Sequence, residues 1–182
     1  MSIEALRTVL PPPATPHATG TPEEWTAIEA RIGFTLPTDY KDYIATYGYG
    51  RIGGFLVPLN PFFDAGGDFF ARADSILATY RQLKADLDPT AIPYPLYPED
   101  EGLFPWAYSF DGDAMFWRRE GQPDDWPCVV AALEFNQAVV TYRETMTGLL
   151  TDWMAGTLTI PGFPATAPNR DRPFDTFDCE ET

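Results

Sequence analysis

The chain has little of what most enzymes use. Among its 182 residues are two cysteines and one histidine. Cys128 and Cys179 lie far apart with no CxxC spacing, which excludes a disulfide framework and a cysteine-based zinc site. The single histidine, His17, sits in a Pro/Thr-rich stretch near the N-terminus. A Ser-His-Asp or Cys-His arrangement would have that one base, in a segment read as a linker, so hydrolases of that kind are set aside. Basic residues are scarce too, 12 against 27 acidic ones, for a formal charge of -15. A phosphate-gripping groove needs clustered Lys and Arg, so nucleic acid is not an expected partner. An anionic membrane surface is excluded for the same reason. There is no run of apolar residues long enough to span a bilayer, and Met1–Leu10 lacks the apolar core of a signal peptide. The expected compartment is the cytoplasm.

What the chain does have is core. Hydrophobic residues make up 45% and aromatics 15%, which suits one domain with a sizeable interior rather than an acidic disordered polymer. The acidity fits a basic partner, and it fits plain solubility equally well.

Periodicity orders the chain. Ile3–Leu10 reads as a short helix ended by Pro11-Pro12-Pro13, which cannot donate backbone hydrogen bonds. Residues 1–20 are therefore expected to be an extension and Pro-rich linker outside the core. Thr21-Pro22-Glu23-Glu24 opens a helix with an N-cap, a proline at the first position and acids at the positive end of the dipole. A second helix carries Leu36, Tyr40, Tyr43, Ile44 and Tyr47 on one face. Ile52–Pro58 reads as one or two short strands around Gly53-Gly54, and Asn60–Phe70 as a loop. A third helix is expected from Asp74 or Ser75 to Leu87, before Pro89. Ala107–Phe110 and Ala114–Trp117 flank Asp111-Gly112-Asp113, a hairpin signal because Asp-Gly tolerates positive φ. Val129–Leu133 and Ala138–Tyr142 form another strand pair around Glu134–Gln137. Thr145–Met154 makes a last helix stopped by Gly156, and residues 157–182 read as a Pro-rich, acidic-ended tail. The order predicts an α+β fold, a mostly antiparallel sheet with helices packed on it, in a domain over residues 21–156.

Candidate chemistry concentrates between residues 99 and 125. Glu99, Asp100, Glu101, Asp111, Asp113, Glu120, Asp124 and Asp125 lie there, opposed only by Arg118 and Arg119. Trp106, Tyr108, Phe116, Trp117 and Trp126 are interleaved with them. Acids around exposed aromatics make a candidate hot-spot patch. The competing reading places the aromatics in the sheet core, favoured for Trp106, Tyr108 and Phe116, with the acids on solvated turns. The residues carried forward as partner-binding are Glu99, Asp100, Glu101, Asp111, Asp113, Asp124, Asp125 and Trp117. Asp111-x-Asp113 lacks the further oxygen ligands a hard cation needs, so no metal is expected. The Gly-rich pieces Gly48-Tyr49-Gly50 and Gly53-Gly54 lack the Lys-Ser/Thr of a phosphate loop, so no nucleotide or other cofactor is expected. Cys128, beside Val129-Val130, reads as a small core residue.

The run Ile28-Glu29 … Ile32-Gly33-Phe34-Thr35-Leu36-Pro37-Thr38-Asp39-Tyr40-Lys41-Asp42-Tyr43, leading to the Tyr47-Gly48-Tyr49-Gly50 turn, resembles the opening signature of the SMI1/KNR4 family, the SUKH superfamily. Phe110-Asp111-Gly112-Asp113 is similar to its Gly-Asp hairpin, and Thr141-Tyr142 through Trp153 and Gly156 to its closing helix. The resemblance implies a binding scaffold without catalytic residues. It implies in particular a bacterial immunity protein that blocks a cognate toxin domain, often a basic nuclease, by stoichiometric contact. The same resemblance admits a regulatory adaptor with another protein partner. An enzyme using carboxylates not identifiable among so many is the remaining alternative.

Overall fold

The computed structural model describes residues 2–63, 69–86, 92–132 and 138–176. Seven strands form one sheet in the order β6-β5-β4-β3-β2-β1-β7. They are β1 Gly50–Ile52, β2 Leu56–Pro58, β3 Leu103–Ser109, β4 Ala114–Arg118, β5 Cys128–Ala132, β6 Ala138–Tyr142 and β7 Phe174–Thr176. Each neighbouring pair is antiparallel. Among the described residues five α-helices accompany them: α1 Ile3–Val9, α2 Pro22–Ile32, α3 Thr38–Tyr47, α4 Phe69–Asp86 and α5 Met146–Ala155. The expected α+β architecture is what forms.

Successive strand residues point to opposite faces, and here both faces are covered. In β4, Met115 and Trp117 join the cluster built with α1, α3 and α5, through Leu6, Tyr40, Tyr43, Leu149 and Trp153. Ala114 and Phe116 between them join the cluster under α4, with Leu77 and Tyr80. In β5, Cys128 and Val130 face the first cluster, and Val129 and Ala131 the second. A sheet buried on both sides reads as a continuous apolar run, which is how Ala114–Trp117 and Cys128–Ala132 read.

The helix boundaries follow local chemistry. Thr21 and Glu24 make a reciprocal capping box, with Thr21 N–H to Glu24 Oε2 at 2.8 Å and Glu24 N–H to Thr21 Oγ1 at 3.3 Å. Gly156 ends α5 with φ 78°, a left-handed cap. α4 starts at Phe69, earlier than the cap signal at Asp74 or Ser75 predicts. The reason is apolar: Phe69, Ala73, Leu77 and Tyr80 share its buried face, and burial overrides a local cap preference. The expected end of this helix at Leu87, the Glu134–Gln137 connection with Leu133, and the acidic end of the tail lie outside the described residues.

Two expectations about the termini are corrected. The helix read as an appendage is core, since Leu6 and Leu10 are both 0% exposed and α1 packs on α5. The segment after it is pinned as well: Tyr49 N–H donates to His17 O at 3.0 Å and Asn60 Nδ2 to Ala18 O at 2.9 Å. Gly48, at φ 66°, permits that approach, because a Cβ there would sit 2.0 Å from the His17 carbonyl oxygen. At the other end, the tail supplies β7, pairing Thr176 with Gly50. Arg170 also donates to the carbonyls of Met154 at 2.8 Å and Trp153 at 3.2 Å, satisfying the last turn of α5.

The acidic residue of the Leu-Pro-x-Asp-Tyr element has a structural duty. Asp39 Oδ2 accepts from the Thr147 N–H at 2.9 Å and from Thr147 Oγ1 at 3.1 Å, capping α5 from α3. Asp39→Ala is expected to cost about 1–2 kcal/mol, with Asp39→Asn losing less because an acceptor remains. Urea denaturation checks it. An unchanged midpoint for the alanine variant sinks the capping role.

Candidate partner-binding surface

The acidic turns and the hairpin tip belong to opposite ends of the sheet. Leu103 pairs with Arg118 at the start of β3, and Tyr108 pairs with Ala114 at its end. Glu99, Asp100 and Glu101 therefore meet the 119–125 loop at one end, whereas Asp111 lies at the other. The seven residues of β3 separate them by roughly 20 Å. Contiguity in sequence did not become one patch.

At the acidic end, both arginines are turned to internal use. Arg118 pairs with Glu120 at 3.0 Å and Glu101 at 3.5 Å, with its guanidinium 5.0 Å from the Tyr94 ring centroid. Arg119 Nε donates to Gly102 O at 3.0 Å, and its Nη2 donates to Glu99 O. Its guanidinium lies 4.9 Å from the Phe34 ring and 5.1 Å from the Tyr97 ring, and burial lowers its pKa. The side chains of Glu99 and Asp125 are exposed and form no ion pair among the described residues. Asp100 is exposed and, among the described residues, accepts only the Glu101 N–H at 3.2 Å. The turn is thus held in place while the Glu99 and Asp100 carboxylates face water.

Asp124 does more than face solvent. Pro37 precedes α3 and gives it no side-chain cap. Asp124, on a 3-10 turn over Pro123–Asp125, supplies one, accepting the Thr38 N–H at 2.6 Å and Thr38 Oγ1 at 3.1 Å. Its carboxylate fixes the acidic loop against α3.

At the far end, Asp111 is exposed and Asp113 is only 3% exposed. Asp113 Oδ2 accepts from Ser109 Oγ at 2.8 Å, so its carboxylate organises the turn and presents nothing outward. Trp117 is also corrected as a contact residue. It is 1% exposed, edge-on to Tyr40 at 5.0 Å and tilted against Trp106 at 6.1 Å. A sheet covered on both faces leaves no outward aromatic stripe. Among the described residues the large aromatic that does face water is Phe110, 67% exposed. Its signal was its place beside Asp-Gly, where the strand has ended and alternation no longer assigns a face.

Cys128 is fully buried, and burial, with the nearby Asp39 and Glu144 carboxylates, raises its thiol pKa far from a nucleophile's range. Among the described residues no three His, Cys, Asp or Glu side chains gather as a metal site. No helix among them is long and apolar enough to cross a membrane.

The class these features define is an α+β domain with a doubly covered antiparallel sheet and rigid acidic turns at one end. A family model described as SMI1-KNR4 cell-wall, SUKH_6, matches residues 22–147, from the first residue of α2 into α5. The chain belongs to that family. Neither a curated protein nor a solved structure gives a significant match. The family is known for non-enzymatic immunity proteins, and membership supports an immunity-protein-like role in general. α1 and the tail with β7 lie outside the matched span.

Proposed function

We propose that the chain is an immunity protein that neutralises a cognate bacterial toxin domain by forming a one-to-one complex in the cytoplasm. The toxin is a basic protein, a nuclease in the first instance, and the acidic end of the sheet covers its nucleic-acid-binding surface. The observation that carries this reading is the disposition of charge there. Six carboxylates share the rim with two guanidinium groups, and both guanidinium groups are engaged within the turn. A rigid anionic rim speeds encounter with a cationic surface and opposes anionic competitors.

The test is coexpression with the C-terminal toxin domain that this reading expects to be encoded beside the gene, followed by binding kinetics on the purified pair. Survival of the host and a stable equimolar complex are expected. Glu99→Lys, Asp100→Lys and Glu101→Lys together should slow association at low salt by about 10- to 100-fold and flatten its salt dependence. Asp124 is left intact, because it caps α3. Killing by the toxin despite abundant folded protein sinks the immunity reading of that pair. An unchanged on-rate in the reversed variant removes this face while leaving the immunity reading in place.

A further inference from the structure

The hairpin between β3 and β4 carries four features that the acidic-end reading does not use. Phe110 is the one large apolar side chain among the described residues that is mainly exposed. Asp111 beside it is exposed and has no ion pair among the described residues. Between the hairpin and α4 lies an open groove of about 170 Å³, with Ile76, Tyr80, Tyr108 and Ala114 in its wall. Arg72, also exposed, lines the same groove, 4.9 Å from the Tyr108 ring and with no carboxylate in ion-pair range among the described residues. A knob, a recess, an anion and a cation are thus gathered on one small surface.

The knob is also held still. Ser109 Oγ accepts the N–H groups of Asp111 at 3.2 Å and Asp113 at 3.1 Å, while it donates to the Asp113 carboxylate. Ser109 N–H reaches Asp113 O at 3.0 Å, and Gly112, at φ 94°, closes the turn. Tyr108 meets the Phe110 ring edge-on at 6.0 Å. An aromatic fixed in advance loses little conformational entropy on docking, which is the property of an interface anchor.

We propose that this surface binds a second copy of the chain. Knob and recess are adjacent on the same hairpin, so a two-fold axis beside it seats each Phe110 ring in the other copy's groove. A cavity of about 150 Å³ accommodates a benzene ring, so the groove has room for a phenyl group. The same operation brings each Asp111 alongside the partner copy's Arg72, two ion pairs absent among the described residues of the single chain. Self-complementarity of this kind is what an isologous interface requires. The contact is small and the copies carry -15 each, so the dimer is transient and strengthens as salt screens the long-range repulsion. This inference does not rest on the toxin reading.

Sedimentation equilibrium of the full chain, from about 10 µM to about 1 mM, tests it. The expected result is a concentration-dependent rise from 20.3 kDa toward twice that mass, larger at high salt. Phe110→Asp should raise the dissociation constant at least about 30-fold with an unchanged circular dichroism spectrum. Asp111→Arg and Arg72→Asp should each weaken the dimer, and the two combined should restore it, which a merely structural effect would not do. A chain that stays monomeric at the highest concentration overturns the proposal, as does a dimer indifferent to Phe110→Asp. A monomeric chain that loses toxin binding on Phe110→Asp assigns the tip to the toxin and overturns it too.

Discussion

Raising the pH from about 9 to about 11 is expected to unfold the protein in one cooperative step. Tyr40, Tyr43, Tyr47 and Tyr80 are all 1% exposed or less, and burial pushes each phenol well above its ordinary range. Three of them donate to main-chain carbonyls: Tyr40 to Leu59 at 2.5 Å, Tyr47 to Leu10 at 2.6 Å and Tyr80 to Ala131 at 2.9 Å. A phenolate in any of these places has lost its donor and faces a carbonyl oxygen. In the unfolded chain a tyrosine titrates near 10. The folded values are raised, so the stability these groups contribute is present in full below pH ~10 and lost as pH climbs through ~10 toward them. By pH ~11 each costs about 1.4 kcal/mol, or roughly 5–6 kcal/mol for the four, comparable with a domain's whole stability. Tyrosinate absorbance and far-ultraviolet circular dichroism, followed together, check it. Half-buried Tyr49, pushed up to about 12, belongs with the later-titrating group. Smooth ionisation of all nine tyrosines near 10, with the dichroism unchanged, would falsify the expectation.

These tyrosines also mark what the sequence made legible. Tyr40, Tyr43 and Tyr47 fall on the buried face of α3 as helical spacing predicts, and all three are core. The N-cap at Thr21, the Asp-Gly hairpin and the Gly156 stop were readable because each is decided within a few residues of chain. What could not be read depends on partners distant in sequence. Asp39 caps α5 across 108 positions, and Asp124 caps α3 across 86. No local pattern says that a carboxylate will find a helix end that far away. The acidic segment failed as one patch for the same reason, because β3 carries its two halves to opposite ends of the sheet. Trp117 reads as available because acidic residues surround it in sequence, yet α4 covers one face of the sheet while α3 and α5 cover the other. Phe110, one residue past the last in β3, was the reverse case.

Replacing Leu6 and Leu10 together by alanine is expected to cost about 4–8 kcal/mol, lowering Tm by roughly 10–25 °C. Both side chains are fully buried in the cluster that includes Tyr47, Leu149 and Trp153. Truncation removes the transfer energy of each isobutyl group and leaves a cavity between α1 and its neighbours, at about 2–5 kcal/mol apiece. Adjacent sites share that cavity, so the double cost falls somewhat short of additive. Ile3→Ala with Val9→Ala, at positions only partly buried in the same helix, is the control and should cost markedly less. A double variant at Leu6 and Leu10 within ~1 kcal/mol of the parent would return α1 to the status of an appendage. The larger loss carries a consequence for the domain's extent. The family match starts at residue 22, yet the hydroxyl of Tyr47, on α3 within it, donates to the Leu10 carbonyl, and α5 packs against α1. A chain beginning at Thr21 leaves that hydroxyl without its acceptor and uncovers the apolar side of α5. The sheet and helices of the matched span are therefore, in this protein, completed by a segment that lies outside that span.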